Sequence, residues 1–451
     1  MLNPFPVLPL LLCLAQSPSP PDTLEQERVV GALGARLDAQ LTRFAEYGFW
    51  GTVLVAREGQ IVLDKGYGLA DADRVIRNTA ATRFELNSMT KMFTGGAILQ
   101  LDAAGRLHVA DSVERYLGPF PPGKQGATIE QLASHTAGLI EAGADLAGDT
   151  RADFVQDVKQ TPRESPPGEQ YRYTNAGYSL LAAIIEQVSG GSYEDYLLTH
   201  LLKPAGMRSA TFRDRLPQGD SRFARGYVGT PARLEPGPPN PYVWGTRGAG
   251  GVWGTVGDVY RWLLAVQGDS LLPAPQRRLL FSSPRPPSQE AYGWHVTTDS
   301  GGRPLIQKGG GSDDFASDML YYPSHRVVII WASNNLRQRW RRALNRTLSA
   351  LAFDKPAAVL PEVTSVPVAA LANLARLYRS GNDSLQLRAG PGYLYADANR
   401  LGIPTELMFF PQDALHFTAF DPFSGNLSRL RFEEGSVTID LPERRRVTAK
   451  Q

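Results

Sequence analysis

The stretch FELNSMTKMF, residues 84–93, sets a serine and a lysine three positions apart within a run of apolar residues. The helical pattern over residues 87–104 predicts a helix, and residues three apart in a helix are neighbours on one face. Ser88 then stands at the helix N-terminus, where free backbone N–H groups favour developing negative charge. A lysine that burial keeps neutral can take the serine's proton, which predicts Ser88 as nucleophile and Lys91 as base. Chance alone supplies roughly half a Ser-x-x-Lys match, so further motifs must decide.

A second candidate motif lies in PGEQYRYTNAGY, residues 167–178, just ahead of a predicted amphipathic helix. It contains the triplet Tyr173-x-Asn175. A phenol near two lysines has its pKa lowered, because positive charge favours the phenolate, and such a phenol can relay protons. Asn175 can hold the lysine amine or a substrate amide. The alternative interpretation is that Tyr173 is a core aromatic residue and Asn175 a helix cap.

The third motif is QKGGGS, residues 307–312, which precedes strongly β-forming sequence. Glycines allow a substrate to lie against the backbone, so Gly309, Gly310 and Gly311 are predicted substrate-binding residues. The N–H groups of Gly311 and Ser88 are predicted to bind an oxyanion. Lys308 would add positive charge to the same place. The alternative is a flexible glycine turn.

The secondary-structure pattern predicts a sheet built from the two ends of a long segment. Residues 51–56 and 61–65 are rich in apolar and β-branched residues around a turn, and strand character returns at 320–322 and 327–332. Between them the sequence is mostly helical, as at 176–188 and 193–202. A first helix is predicted from residues 29 to about 48, and a last one near 344–351.

The composition excludes several classes of function. The chain has 451 residues and a formal net charge of +2, without a long run of like charge, so nucleic acid is not an expected partner. The six histidines are scattered without metal-ligand spacing, and no Gly-x-Ser-x-Gly elbow is present. We therefore expect neither a metal nor a cofactor. Only eight of the 47 basic residues are lysines, so each lysine hints at a need that permanently charged arginine does not meet.

Residues 1–15 are interpreted as a secretory signal peptide, because an apolar stretch ends in Cys13-Leu14-Ala15. A disordered N-terminus is the alternative. Export to the periplasm, the cell envelope or the medium follows from the first interpretation, and no segment is long enough for a membrane span. Residues 16–23 are a spacer and residues 24–353 the main domain. Residues 354–368, with three prolines, form a linker, and residues 369–451 a β-rich module with strands predicted near 384–388, 393–396, 406–410, 415–420, 428–432 and 437–441.

The three motifs in this order resemble the serine β-lactamase and penicillin-binding-protein superfamily, in particular the branch of class C β-lactamases, D-aminopeptidases, DD-carboxypeptidases and esterases. The likeness covers about residues 24–353 and extends to LASHTAGL (132–139), PAGM (204–207), GGVWGTVGD (250–258) and YGW (292–294). The histidine of the first of these, His135, is interpreted as support for its loop. The resemblance implies a two-lobed α/β (α+β) fold of the β-lactamase/transpeptidase type, with an antiparallel sheet, flanking helices and a helical lobe.

The resemblance also implies residue roles. Ser88 would be acylated, Lys91 would be its base, and Tyr173 would shuttle the proton and activate water for deacylation. Asn175 would hold substrate and lysine, and Lys308 would act electrostatically. The substrate would be a small molecule or peptide: an ester, a D-amino-acid peptide or a β-lactam. The oligomeric state is left open.

One position departs from the family pattern. β-Lactamases and DD-peptidases of this family usually have Lys-Thr-Gly or Lys-Ser-Gly in the third motif, with a hydroxyl that helps to bind the substrate carboxylate; here Gly309 takes that position. A polar group buried without its partner costs about 1–3 kcal/mol. An esterase or aminopeptidase-like activity is therefore favoured over β-lactamase or carboxypeptidase activity, unless Ser312 compensates. The rivals from other classes are a non-catalytic receptor for peptidoglycan or β-lactams and a structural assembly protein.

Overall fold

The computed structural model describes residues 26–140, 148–230, 233–238, 241–282, 288, 290–335, 340–381, 383–399, 407–421, 425–442 and 446–450. Short 3-10 turns lie at Asn87–Met89, Arg213–Arg215, Trp244–Thr246 and Pro323–His325, and a π-helical turn lies at Leu198–Leu202. The α-helices in these ranges are α1 (Gly31–Glu46), α2 (Thr90–Ala103), α3 (Glu114–Leu117), α4 (Ile129–Ala133), α5 (Arg151–Gln160), α6 (Asn175–Ser189), α7 (Tyr193–Leu197), α8 (Val256–Gln267), α9 (Ala274–Leu280), α10 (Arg341–Ala352) and α11 (Val368–Leu374).

The strands of the main domain form one large antiparallel sheet and three small ones. The strands are β1 (Arg28–Val29), β2 (Gly51–Arg57), β3 (Gln60–Tyr67), β4 (Leu69–Asp71), β5 (Ile76–Arg77), β6 (Phe84–Glu85), β7 (Thr211–Phe212), β8 (Tyr227–Thr230), β9 (Arg233–Pro236), β10 (Val252–Gly254), β11 (Glu290–Ala291), β12 (Trp294–Thr298), β13 (Pro304–Gly311), β14 (Ala316–Tyr322) and β15 (Val327–Ser333). The large sheet has the order β1-β3-β2-β15-β14-β13-β12-β11 in the described residues. The small ones are β6-β10-β7, β4-β5 and β8-β9.

The centre of the large sheet is covered on both faces. Strand β15, with the sequence VVIIWAS, is buried along its whole length. Its side chains point alternately to the two faces of the sheet, and each face is covered by an apolar core. One core joins the sheet to the helical lobe that contains α2 and α6, and the other joins it to α1 and α10. The sheet therefore comes from the two ends of the main domain, with a mostly helical insertion between them. This confirms the predicted two-lobed α/β fold.

The C-terminal module is a closed antiparallel barrel. Its strands follow the chain around the barrel as β16 (Leu377–Ser380), β17 (Asp383–Gly390), β18 (Tyr393–Asn399), β19 (Met408–Pro411), β20 (His416–Asp421), β21 (Asn426–Glu433), β22 (Ser436–Asp440) and β23 (Arg446–Lys450). Arg379 of β16 pairs with Lys450 of β23 and closes it. Alternate residues point inward, as in β22, where Val437 and Ile439 are buried, so the interior is a packed apolar core. The small all-β module is confirmed.

The barrel packs on the α1 and α10 side of the main domain. The Phe420 ring stacks on Phe44 of α1 at a centroid distance of 5.7 Å and lies 5.8 Å from the Trp340 ring, just before α10. The predicted linker lies against α1, since the Tyr47 hydroxyl donates to the Pro361 carbonyl at 3.3 Å and Leu360 is buried. Main domain and barrel therefore share one apolar core.

Some sequence-based expectations have other outcomes. The predicted signal peptide at 1–15 and the predicted spacer at 16–23 lie outside the described residues, and the domain boundaries stay predictions. Val29 lies in strand β1 rather than in the first helix, because Arg28–Val29 extends the sheet edge by pairing with β3. Among the described residues, no helix combines the length and the apolar composition that crossing a bilayer requires.

Candidate active site

Ser88 lies in the 3-10 turn Asn87–Met89, which runs directly into α2. Asn87 has a φ of 50°, in the left-handed region that asparagine tolerates better than most residues. The preceding residue, Leu86, is held on both sides: its N–H donates to the Val252 carbonyl at 2.9 Å, and its carbonyl accepts from Ser317 Oγ at 3.0 Å. Ser88 is half-buried. Its hydroxyl therefore projects from a backbone that two strands fix in place.

Lys91 is fully buried one turn further along, at the bottom of the site. Its Nζ lies 3.2 Å from Ser88 Oγ, 2.7 Å from Asn175 Oδ1 and 3.1 Å from the Ala249 carbonyl oxygen. These three acceptors are neutral. Burial lowers the pKa of Lys91, and the ammonium of Lys308 lowers it further against the opposite effect of Tyr173. A lysine in this setting can exist as the free amine that accepts a proton from the serine.

Tyr173 brings a phenol to the other side of the same hydroxyl. Its OH lies 2.9 Å from Ser88 Oγ, and its ring centroid is 4.9 Å from Lys91 Nζ and 5.4 Å from Lys308 Nζ. Burial acts to raise the pKa of Tyr173, but the two ammonium groups outweigh it, so the pKa is lowered from its usual range. Thr174 caps α6 by accepting from the Gly177 N–H, so Tyr173 and Asn175 are set by a helix start.

Lys308 and the three glycines form the end of β13. Lys308 and Gly310 face α2, whereas Gly309 faces α10, because successive residues of a strand point to opposite faces. A Cβ at Gly310 would lie 2.1 Å from the Leu86 carbonyl oxygen, so only glycine lets this strand approach the serine turn so closely. Strand β12 pairs with β13 only as far as Gln307. Beyond that point the glycine backbone borders the cavity.

The ammonium of Lys308 pairs with a carboxylate that no motif predicted. Lys308 Nζ donates to Glu290 Oε2 at 2.7 Å, and the glutamate is 9% exposed. Burial acts to raise the pKa of Glu290, but Lys308 outweighs it and holds the pKa below its usual range. Glu290 precedes the YGW segment, and nothing in its own spacing pointed to the site. Its partner comes from another strand, so only folding brings the pair together.

His135 supports the second motif from behind. Its Nδ1 accepts from the Thr174 N–H at 3.2 Å, and its ring stacks on Tyr173 with centroids 4.5 Å apart. Burial lowers the pKa of His135 to about 4, so the ring is neutral at physiological pH. This arrangement agrees with the interpretation of His135 as support for its loop, and extends it to the positioning of Tyr173.

The predicted residues meet at one cavity of about 570 Å³. Lys91 lies beneath it, against Ser88. The cavity has two walls, an inner wall and an outer wall, which meet at the strand of Gly309, Gly310 and Gly311. The inner wall is formed by Ser88, Tyr173, Asn175, Glu290 and Lys308. The outer wall is formed by His295, Gln307, Asp318, Arg341 and Asn345.

Arg341 explains the missing hydroxyl of the third motif. A Cβ at Gly309 would lie 1.9 Å from Arg341 Nη1, so the guanidinium fills the space of a larger side chain. Arg341 also donates to Asp318 Oδ2 at 2.8 Å and to the Gly310 carbonyl at 2.7 Å. Sequence reasoning missed Arg341, because it lies 32 positions from Gly309 in a run of several arginines.

Ser312 does not take over that role. Its hydroxyl donates to Asp314 Oδ1 at 2.8 Å, and the same oxygen accepts from the Phe315 N–H at 3.1 Å. Ser312 Oγ also accepts from Asn87 Nδ2 at 3.4 Å, so the side chain is held between the β13–β14 turn and the serine turn and is not among the residues that line the cavity. In the described ranges, no group of three or more His, Cys, Asp or Glu side chains is arranged to hold a metal ion.

A serine hydroxyl between an amine and a phenol, at the start of a helix beside an antiparallel sheet, defines the class of this protein: it is a serine hydrolase. The beta-lactamase family model matches residues 34–353, and the chain belongs to that family. The predicted superfamily and fold are therefore confirmed.

The comparisons with individual proteins agree. The chain is 30% identical over 332 residues to a penicillin-binding protein of Bacillus subtilis (strain 168), covering 68% of this chain and 73% of that one. It is 40% identical over 170 residues to the putative penicillin-binding protein PbpX of the same strain, but this match spans only 42% of PbpX and 37% of this chain. In structure it resembles an octameric penicillin-binding protein homologue from Pyrococcus abyssi, with a TM-score of 0.66 at 22% identity, over 93% of this chain and all of that one. A share of that size includes part of the barrel.

Proposed function

We propose that the protein hydrolyses ester or amide bonds through an acyl-enzyme at Ser88, as an esterase or a D-aminopeptidase-like enzyme rather than as a β-lactamase or carboxypeptidase. The observation that carries the proposal is the position of Ser88 Oγ, 2.9 Å from the Tyr173 hydroxyl and 3.2 Å from Lys91 Nζ. Burial lowers the pKa of Lys91, and against the raising effect of burial the two lysines lower the pKa of Tyr173, so both side chains give up their protons more readily than an ordinary lysine or tyrosine.

The acylation step follows from these positions. Ser88 Oγ attacks the substrate carbonyl carbon, and its proton passes to neutral Lys91. The backbone N–H groups of Ser88 and Gly311 stabilise the oxyanion, while the charge of Lys308 supports it. The tetrahedral intermediate then expels the alcohol or amine, which takes a proton relayed from Lys91 by Tyr173. The products of this half-reaction are the acyl-enzyme and the leaving group.

Deacylation reverses the roles of the same groups. A water molecule beside Tyr173 attacks the acyl carbon and gives a proton to the Tyr173 oxygen, while the phenol passes its own proton to neutral Lys91. The ester bond to Ser88 breaks, and the proton returns to Oγ. Asn175 holds the Lys91 amine throughout, since its Oδ1 lies 2.7 Å from Nζ.

The substrate preference rests on Gly309 and Arg341. Without a hydroxyl at position 309, a substrate carboxylate lacks one partner that the related β-lactamases and DD-peptidases offer. The guanidinium that fills this space is already bound to Asp318 and to the Gly310 carbonyl. A carboxylate would have to compete with Asp318, so substrates that are neutral at this end are favoured.

Intact-mass analysis of the purified protein with short-chain esters, D-amino-acid amides and β-lactams tests the proposal. We expect a transient mass increase with an ester or amide, repeated release of product, and neither in Ser88→Ala. A Ser88→Ala variant that turns over p-nitrophenyl esters at the parent rate would contradict the assignment. A single, permanent acylation without turnover would instead identify a receptor.

Export is part of the same proposal and rests on residues 1–15. N-terminal sequencing of the protein from intact cells should find a start close after Ala15. A chain that retains Met1 in the cytoplasm would overturn this point and leave the chemistry untouched.

A further inference from the structure

The two lysines of the site have similar positions and different partners. Lys91 and Lys308 lie 4.9 and 5.4 Å from the same Tyr173 ring centroid. Lys91 contacts neutral oxygens only, whereas Lys308 pairs with a carboxylate at 2.7 Å. A buried ammonium without a counter-ion tends to lose its proton, and one with a carboxylate keeps it. The two amines therefore suit different roles in the reaction, and the difference in their partners comes from Glu290.

Glu290 is held so that its carboxylate reaches Lys308. It lies in β11 at the edge of the large sheet, where its carbonyl accepts from Ser288 Oγ at 2.7 Å and its N–H donates to the same oxygen at 3.1 Å. Ser288 Oγ also lies 2.6 Å from the Ser134 carbonyl oxygen, so its single proton is shared between the two carbonyls and joins this turn to the loop of His135. The carboxylate is thus anchored by the backbone on both sides of the cavity floor.

His135 links Glu290 to Tyr173 without adding a charge. Because Nδ1 accepts from the Thr174 N–H, the ring proton belongs on Nε2. That nitrogen lies 3.4 Å from Glu290 Oε2, longer than an ordinary hydrogen bond. The stacked, neutral ring keeps the carboxylate on the Lys308 side of the phenol.

We propose that Glu290 is a positioning residue that separates the roles of the two lysines: its carboxylate pairs with Lys308 and leaves Lys91, which contacts no carboxylate in the described ranges, as the amine that exchanges protons with Ser88. The inference rests on the proposed function and deepens it. Glu290 touches no reacting atom and acts through Lys308. Its expected signature is a change in the pH dependence of the reaction, which a merely structural residue does not produce.

The groups that face Glu290 determine the sign of that change. They lie on four elements and two loops: Lys308 of β13, His295 of β12, Tyr178 of α6, Lys91 of α2, His135 in the loop after α4, and Tyr171 and Tyr173 in the loop before α6. Burial lowers the pKa of Lys91, and the Glu290 charge opposes this effect. When the charge is removed, Lys91 becomes neutral at lower pH. The acidic limb of kcat/KM, which follows deprotonation of the base, should then move to lower pH.

The experiment compares pH profiles of kcat/KM for the parent, Glu290→Gln, Glu290→Asp and Glu194→Gln, with an ester that acylates Ser88 in the parent. We expect Glu290→Gln to move the acidic limb down by on the order of one pH unit and to lower kcat about tenfold. Glu290→Asp keeps the charge and should keep the limb in place, even if its rate falls. Glu194 is a buried carboxylate of the helical lobe, paired with Arg247, and its substitution should not move the limb.

Different outcomes overturn different claims. An acidic limb that stays in place in Glu290→Gln, in a protein that still melts cooperatively, overturns this inference alone. If Glu290→Gln does not fold, Glu290→Asp decides: a limb displaced by about one pH unit although the charge is kept would contradict the role of the charge. If the parent itself shows no acyl adduct on Ser88, the proposed function falls, whatever the profiles look like.

Discussion

The inner and outer walls of the cavity are both polar, but they differ in how their charges are balanced. On the inner side lie two buried lysines, of which Lys308 pairs with the carboxylate of Glu290, whereas Lys91 contacts neutral oxygens. In the outer wall, Arg341 is matched by Asp318, which also accepts from Asn345 Nδ2 at 2.8 Å. The buried amine that has no carboxylate contact among the described residues, Lys91, thus lies on the side where the oxyanion would form. This difference indicates that the inner wall serves proton transfer, whereas the outer wall determines which substrates fit the cavity.

The largest effect should come from removing the buried amine of the inner side. Lys91→Met should lower kcat/KM by about 10³-fold, because the serine loses its base. Ester turnover measures the loss, and Lys203→Met, at an exposed lysine, is the matched control. A Lys91→Met variant within tenfold of the parent would mean that the buried amine of the inner side is not the base.

Tyr173→Phe should lower kcat by about 10²-fold, since water loses its activating phenol. The acyl-enzyme should then persist, so intact-mass spectra after mixing should show the adduct for longer than in the parent. Tyr171→Phe removes a neighbouring hydroxyl, with the ring 6.0 Å from His135, and should behave as the parent. Equal adduct lifetimes in all three proteins would remove Tyr173 from the mechanism.

The outer wall can be tested at Gly309. Gly309→Ser should lower activity about tenfold and stability by about 1–3 kcal/mol, because Arg341 must leave its bonds to Asp318 and Gly310. Adding Arg341→Ala opens the space, so the double variant should lose less than the sum of the single variants. It should also gain activity on carboxylate-bearing substrates relative to neutral ones. Additive losses and an unchanged preference would show that position 309 does not set specificity.

The smallest effect concerns stability and pH. The lowered pKa of Lys91 means that the unfolded chain binds more protons than the folded one between that pKa and the usual lysine value of about 10.4. Stability of the parent should therefore rise with pH in this window. Lys91→Met should be more stable than the parent at pH 7, and this advantage should shrink as the pH approaches about 10. Denaturant titrations at several pH values measure it; a constant advantage would contradict a proton-exchanging Lys91.

Sequence reasoning was strongest where the chemistry is local. Ser88 and Lys91 lie within one helical turn, and Tyr173 and Asn175 flank a helix cap. The spacing of these residues in the sequence was therefore enough to predict that each pair lies close together. Arg341 and Glu290 could not be found in this way, because each acts on a residue far from it in the chain. Their relation to the glycine strand exists only after β13 is placed in the sheet.

The barrel shows the same limit at the level of the fold. Its six central strands alternate apolar and polar residues and were predicted within a few residues. Strands β16 and β23 were missed, because Leu377–Ser380 and Arg446–Lys450 are short and carry exposed charges. Since these two strands pair with each other, the sequence indicated a β module without indicating that it closes.

The contact of Phe420 with Trp340 has a consequence for engineering the chain. Trp340 is the residue immediately before Arg341, and its ring is only 2% exposed, covered by Phe44, Phe49 and Phe420. A shortened protein ending at Phe353 would uncover this aromatic cluster to water and invite self-association. It would also release the residue that anchors the outer wall's arginine, so trimming the C-terminal barrel should broaden substrate acceptance while lowering solubility.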